Sequence, residues 1–299
     1  MAIEYTSDVW PDWCPACGNF GILTALKQAL ADLHIDKEKF VLVSGIGCSG
    51  KIPHFINVSG VHTLHGRSIP FATGIKAANP ELKVLVHGGD GDLLGIGMGH
   101  FVALGRRNSD ILVVVHNNGV YGLTKGQASP TLGRGTKTKS LAFPNINDPV
   151  NPILIGMSSG YTFLARSYAY NIEHLKSVIK EGLSHRGAGI LEILQPCPTW
   201  NNILTMDWVN QNTQYLKDWD PNVSEGGLLN KIQELMKLES MEKKALGVLF
   251  VNNAKSTFEE RLALNNKNYA VSPPAKQEIQ KDGKPIEISV EKTFERFLV

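Results

Sequence analysis

The chain has 299 residues, with 30 Lys+Arg against 28 Asp+Glu, a formal charge of +2 and 42% hydrophobic residues. That length and apolar content supply the core of one large α/β domain or two smaller ones, and near-neutrality excludes the strongly basic footprint of a nucleic-acid binder. No apolar stretch approaches the ~20 residues of a membrane span, the start MAIEYTSDVW is no signal peptide, and four cysteines are too few for a disulfide scaffold, so a cytoplasmic protein is expected.

In chain order, GNFGILTALKQALADL (18–33) places apolar residues at helical spacing, and VLVS (41–44) follows as a short buried strand. KVLVH (83–87) reads as a strand, LLGIGMGHFVALGRR (93–107) as a glycine-rich buried helix, and ILVVVH (111–116) as another strand. A loop rich in Gly, Thr, Ser and Pro runs through 117–150. An apolar stretch (153–157), a helix over NIEHLKSVIKEGLSH (171–185) and the strand GILEIL (189–194) come next. Strands alternating with helical patterns predict an α/β fold, a mostly parallel sheet with helices on both faces. Beyond Asp207 the pattern is less regular, with helical signals near 226–245 and 257–264, a linker over 272–285 and a short terminal element over 286–299. The expected organisation is an α/β domain over 1–209 and a charged C-terminal extension over 210–299, packed on that domain or on a partner subunit.

Glycine and charge are unevenly placed. Eighteen of the 29 Gly fall between Gly45 and Gly135. No acidic residue occurs between Glu38 and Glu81, nor between Asp110 and Asp148, while each window holds four Lys/Arg. A cleft lined by one sign of charge focuses potential on its contents, so these windows point to a pocket for anionic ligands.

The conspicuous residues follow the predicted strands. The first strand runs into Gly45-Ile46-Gly47-Cys48-Ser49-Gly50, the second into Gly88-Gly89-Asp90-Gly91-Asp92, the third into Asn117-Asn118-Gly119 and the last into Gln195-Pro196-Cys197-Pro198. Ligands of open parallel sheets bind beyond the carboxyl ends of the strands. Gly45-x-Gly47-x-x-Gly50 matches the dinucleotide fingerprint as text, but Pro53 interrupts the helix it requires, and no acid for a ribose lies from 39 to 80. Asp90 and Asn118, 28 positions apart, offer the oxygen ligands that Mg²⁺ prefers beside phosphate. Cys14-Pro15-Ala16-Cys17 puts two thiols in a tight turn, with Cys48 and Cys197 on distant strand ends. From spacing alone, four such thiolates hold a structural zinc or a 4Fe–4S cluster. Cys48 stands at a strand end adjacent to that of Asp90, where zinc has no redox use, and this favours the cluster.

Gly89-Asp90-Gly91 followed by Asn117-Asn118 resembles the motif by which thiamine-diphosphate enzymes bind the diphosphate through Mg²⁺, which implies Asp90, the Asn118 side-chain oxygen and the Val120 carbonyl as metal ligands. Taken together, WCPACGNFG, GIGCSGKIPHF, HTLHGR, GGDGD, NNGVYGLTKGQASPT and PCPTW closely resemble the beta (small) subunit of archaeal and bacterial 2-oxoacid:ferredoxin oxidoreductases, over roughly residues 10–205. The resemblance implies a thiamine diphosphate-binding fold. It assigns Cys14, Cys17, Cys48 and Cys197 to one 4Fe–4S cluster, and Ile46, Gly47, Cys48, Ser49, His65, Gly91, Asp92, Gly122 and Leu123 to thiamine diphosphate. The implied activity is coenzyme A-dependent oxidative decarboxylation of 2-oxoacids such as pyruvate and 2-oxoglutarate, with electrons passing through the cluster to ferredoxin. It further implies a larger alpha subunit, because the Glu that activates thiamine diphosphate is absent from every motif of this chain. Lys51 and Lys125 are candidate contacts for substrate or another anion. A non-oxidative thiamine-dependent decarboxylase would leave the four cysteines unexplained, and a zinc-stabilised binding module would leave the Gly-Asp-Gly to Asn pair unexplained.

Overall fold

The computed structural model describes residues 2–281 and 284–285. Chain order runs α1 (Asn19–Asp32), β1 (Phe40–Ser44), β2 (Ser59–His62), α2 (Ser68–Ala78), β3 (Lys83–Gly89), α3 (Met98–Arg107) and β4 (Ile111–Asn117). There follow the two-residue strands β5 (Val120–Tyr121) and β6 (Gln127–Ala128), then α4 (Pro152–Ser159), β7 (Phe163–Tyr168), α5 (Ile172–Ser184) and β8 (Gly189–Leu194). The remainder comprises α6 (Met206–Asn212), β9 (Thr213–Tyr215), α7 (Leu228–Glu239), β10 (Lys244–Val251), α8 (Phe258–Asn265) and α9 (Lys267–Val271).

Eight strands form one sheet in the order β2-β1-β3-β4-β8-β7-β10-β9. All neighbours are parallel except β10, which runs antiparallel to β7. The central strand β4 shows why. Its run ILVVVH has apolar residues for both faces, as a strand covered on two sides requires. Leu112 and Val114 join the core beneath α1 and α5, while Ile111, Val113 and Val115 join the opposite core, which includes Ile69 of α2, Phe101 of α3 and Ile153 of α4. Helices therefore cover both faces, as the alternating pattern predicts.

Several elements depart from the sequence reading. The helix expected over 93–107 is two pieces, a π-helical turn (Gly91–Ile96) and α3, and it is not buried throughout: Ile96 and Val102 are exposed. Gly95 and Gly97 weaken helical propensity where the two meet. The apolar stretch at 153–157 is the helix α4. Helical signal near 226–245 ends at Glu239, and the β-rich run that follows becomes β10, joined to the main sheet through β7. Strands β2, β5, β6, β7 and β9 and helices α2, α6 and α9 match no element read from the sequence. Within 272–285 a short turn (Pro274–Lys276) precedes a two-strand pairing of Gln280–Lys281 with Lys284–Pro285. The terminal element over 286–299 lies outside the described residues.

Candidate active site at the strand ends

Parallel pairing brings the carboxyl ends of β1, β3, β4 and β8 to one edge of the sheet. At the end of β3, Asp90 leads into the π-helical turn, which is closed by Gly97 N–H donating to the Asp92 carbonyl at 3.0 Å. Such turns concentrate at functional sites. The Asp92 carboxylate reaches back to the loop after β1. Its Oδ1 accepts from Ile46 N–H (3.0 Å) and Gly66 N–H (2.8 Å) and pairs with His65 Nδ1 (2.8 Å). A Cβ on Gly45 would stand 1.9 Å from Asp92 Oδ2, so only glycine admits the carboxylate there. Gly47, at φ +125°, is the second position where the loop requires glycine. Asp92 is buried, its Oδ2 has no hydrogen-bond partner, and burial pushes its carboxyl above the usual range.

Asp90 is equally enclosed, at 1% exposure. Its surroundings are neutral: the Ser129 and Thr131 hydroxyls reach Oδ2, and the Gly91 and Gly119 N–H groups also hydrogen-bond to the carboxylate. Burial raises its pKa, and those four hydrogen bonds only oppose the rise. Thr131 Oγ1 also lies 2.7 Å from Asn117 Oδ1, so one hydroxyl proton serves two acceptors. Just past β4, Asn118 accepts from Val120 N–H at Oδ1 (3.0 Å) and donates through Nδ2 to Gln195 Oε1 (2.7 Å).

These loops enclose a cavity of about 270 Å³. It is lined from the β1 side by Ile46, Gly47, Cys48, Ser49 and His65, from the β3 side by Gly89, Asp90, Gly91 and Asp92, and from the β4 side by Asn118, Val120, Tyr121, Gly122, Leu123 and Thr124. A second cavity of about 320 Å³ adjoins it, with Cys48, Asn118, Gly122 and Leu123 lining both. All four cysteines, each a free thiol, line this second cavity. Ala16, at φ +57°, turns the Cys-Pro-Ala-Cys segment, and Cys17 N–H donates to the Cys14 carbonyl at 3.1 Å. Burial pushes the Cys17 thiol up to about 12 and also raises those of Cys48 and Cys197. Trp13 Nε1–H donates to the Cys48 carbonyl at 2.7 Å, which anchors the Cys48 loop beside α1. A Cβ on Gly122 would lie 3.6 Å from Cys197 Sγ and 3.9 Å from Cys48 Sγ, so this glycine sits beside both sulfurs. Among the described residues, no three His, Cys, Asp or Glu side chains converge on a position for a single metal ion.

The nine residues expected at thiamine diphosphate and the three expected at Mg²⁺ thus line one cavity, and the four cysteines line its neighbour. Lys51 and Lys125 do not line the first cavity. Both border the cysteine cavity, where Lys51 is ion-paired with Asp12, and Lys125 is exposed at φ +82°. Sequence reasoning missed Ser129, Thr131, Tyr121, Asn19 and Gln195. Tyr121, Ser129 and Thr131 stand inside the motif NNGVYGLTKGQASPT without an assigned role, because the return of Ser129 and Thr131 to Asp90 is a tertiary event with no local signal. Asn19, 1% exposed and lining the cysteine cavity, holds His116 Nδ1 at 2.8 Å through Oδ1 and leaves Nδ2 without a partner.

Comparisons with known proteins identify the family and the fold. The C-terminal TPP-binding domain of thiamine pyrophosphate enzymes matches residues 45–193, and the C-terminal region of the pyruvate ferredoxin oxidoreductase beta subunit matches residues 197–267. The beta subunit of 2-oxoacid:ferredoxin oxidoreductase 1 from Aeropyrum pernix is 53% identical over 99% of this chain and 96% of its own length. The chain belongs to this family. The Saccharolobus solfataricus beta subunit is 55% identical over 92% of this chain and 93% of its own. A solved 2-oxoglutarate:ferredoxin oxidoreductase from Magnetococcus marinus, with 2-oxoglutarate, coenzyme A and succinyl-CoA bound, superposes with a TM-score of 0.84 at 33% identity, covering 99% of this chain and 95% of that one. The chain is therefore a beta subunit of an oxidoreductase acting on 2-oxoacids, and its sheet is the thiamine-enzyme fold.

Proposed function

We propose that the first cavity holds thiamine diphosphate with Mg²⁺ and the second a 4Fe–4S cluster. Together with a larger alpha subunit, the chain then converts 2-oxoacids, 2-oxoglutarate and pyruvate among them, and coenzyme A to acyl-CoA and CO₂, with ferredoxin as the electron acceptor. The observation that carries this reading is the shared wall: a cavity built around two buried acids touches a cavity lined by four thiols through Cys48, Asn118, Gly122 and Leu123.

The donor sets fit these groups. Asp90 is a buried carboxylate among neutral donors, and a divalent cation bound by it, Asn118 Oδ1 and the Val120 carbonyl relieves that uncompensated charge. Four free thiols lining one cavity of about 320 Å³ supply the four thiolates that a 4Fe–4S cluster takes, one to each iron. When bound, thiamine diphosphate supplies the electron sink for decarboxylation, and the cluster accepts electrons singly.

The chain's own residues supply positioning. Asp92 accepts from both the Ile46 and the Gly66 N–H groups, so one carboxylate joins the loops after β1 and β2 beside the cavity. Through His65 Nδ1 it also fixes that ring, leaving Nε2 as the nitrogen available to a ligand. Glycines at 47 and 89 let the backbone approach a diphosphate closely, while a Cβ on Gly91 would stand 2.3 Å from the Tyr121 ring, so that glycine seats the ring against the turn. Among the described residues no glutamate lines the first cavity, which is consistent with a partner chain as the source of the activating carboxylate.

The test is anaerobic co-expression with the alpha subunit, followed by iron, sulfide and thiamine analysis and an assay of coenzyme A-dependent reduction of a one-electron acceptor by 2-oxoacids. Four irons per beta chain and turnover that needs both subunits are expected. Zinc in place of iron, or substantial 2-oxoacid-dependent dye reduction by this chain alone, would overturn the reading.

A further inference from the structure

The wall of the cysteine cavity includes a residue to which the sequence assigned no role. Gln195 lies one residue beyond β8, is 1% exposed and is held by its own backbone, whose N–H donates to the Asn117 carbonyl at 2.9 Å. Its side-chain amide is fully used. Oε1 accepts from Asn118 Nδ2 at 2.7 Å, while Nε2 donates to the Pro196 carbonyl at 2.7 Å and to Cys17 Sγ at 3.6 Å.

The orientation of this amide is settled by its neighbours. Asn118 Oδ1 is engaged with Val120 N–H, so the group Asn118 presents to Gln195 is an N–H donor. Turning the Gln195 amide over would set donor against donor at Asn118 and acceptor against acceptor at Pro196. The seat is also specific to its surroundings, since a Cβ on Gly18 would press to 2.9 Å from Gln195 Cγ. One continuous path of hydrogen bonds therefore runs from the Asn118 amide through Gln195 to the Cys17 sulfur.

We propose that Gln195 is a positioning residue that couples the two cavities, so that cation binding at the Asn118 carboxamide oxygen strengthens the N–H···S bond to Cys17 and raises the reduction potential of the cluster. This rests on the assignment of Mg²⁺–thiamine diphosphate to the first cavity and the cluster to the second. The physical steps are short. A cation on Oδ1 withdraws electron density from the Asn118 amide and makes Nδ2–H a stronger donor. The stronger bond at Oε1 polarises the Gln195 amide in the same sense, because hydrogen bonds in series reinforce one another at low dielectric. A stronger N–H dipole at the thiolate favours the more negative, reduced cluster, and hydrogen bonds to sulfur are an established lever on cluster potential. Linkage makes the effect reciprocal, so reducing the cluster tightens the cation–diphosphate pair by the same factor.

The experiment is a redox titration of the cluster, followed by electron paramagnetic resonance, in the two-subunit enzyme before and after removal of Mg²⁺ and thiamine diphosphate. Wild type, Gln195→Glu, which replaces the donor with an oxygen, and Gln195→Met, which removes both polar groups, are compared. In the wild type, adding Mg²⁺ and thiamine diphosphate is expected to shift the reduction equilibrium about tenfold towards the reduced cluster, equivalent to about 59 mV for a one-electron couple. Both variants are expected to show a lower potential that no longer responds to the pair, with iron content unchanged. A wild-type potential indifferent to Mg²⁺ and thiamine diphosphate overturns the proposal whatever the variants do, and so does a full response retained in Gln195→Met. Wild-type enzyme lacking iron overturns the cysteine assignment itself and the coupling with it, and the iron analysis distinguishes that failure from a failure of the bridge alone.

Discussion

Two sets of buried acids, on opposite sides of β4, are treated in opposite ways. On β8 and α7, Glu192 and Glu239 are clasped by Arg166, which is fully buried on β7. Its Nε donates to Glu192 at 2.7 Å, and its two terminal nitrogens donate to the two oxygens of Glu239 at 2.7 and 2.8 Å. Asn117 and Asn151 complete the set. Burial alone pushes Glu239 up, but the Arg166 hydrogen bonds and charge outweigh it and hold the carboxyl below its usual range. Around the first cavity Asp90 meets only neutral donors, Asp92 meets backbone N–H groups and one imidazole, and both are raised by burial. A charge compensated from within the chain is structural. A charge left uncompensated fits the proposed ligand site, and the protein bears the cost in its free state.

Breaking the compensated set carries the largest expected effect. Arg166→Met leaves two buried carboxylates unpaired and is expected to cost about 3–5 kcal/mol in denaturant unfolding. The same network gives a pH signature. The folded pKa of Glu239 is depressed, so its contribution is fully present above the unfolded value near 4.5 and is lost as pH falls through the folded value. Glu239→Gln is therefore expected to lower Tm at neutral pH, with the gap from wild type closing on acidification; a gap that widens in acid would contradict the assignment.

The uncompensated set is expected to respond the other way. Asp90→Asn removes a buried charge, so the ligand-free subunit is expected to melt at a higher temperature while calorimetry shows a loss of Mg²⁺–thiamine diphosphate affinity of more than about 100-fold, beyond the range typical of outer-shell changes. Thr131→Val, which deletes the hydroxyl shared by Asp90 and Asn117, is expected to lose about 10-fold to 100-fold in the same measurement. At the small end, Arg134 pairs with Asp148 across an exposed surface, and Arg134→Ala is expected to leave Tm unchanged.

How much of this was legible follows from where each signal resides. The run ILVVVH declares a doubly covered strand, and the Gly-rich segments at 45–50 and 88–92 declare loops that approach a ligand. Cys48, Cys197 and the Asp90–Asn118 pair follow strand ends in the sequence as they do in space, because a parallel sheet converts strand-end position directly into proximity, whereas Cys14 and Cys17 reach the same cavity from the turn ahead of α1. β7 was invisible for a physical reason: FLARSY carries Arg and Ser into the core, where Arg166 meets Glu192 and Glu239 and Ser167 meets His174, partners that no local pattern can supply. β10 was hidden within a helical signal that α7 ends before it begins. Gln195 belongs to the same class, since its importance exists only once Asn118 and Cys17 stand on either side of it.

Gly122 lines both cavities, and the position of its missing Cβ is in ordinary contact with two sulfurs. Regarded as an insulator, the partition at this point is a single stretch of backbone with no side chain to thicken it. Electrons leaving the proposed thiamine site would have little protein to cross on their way to the proposed cluster. A methyl group at this position is sterically tolerable, which makes Gly122→Ala a means of thickening the insulation by one carbon and asking whether turnover notices.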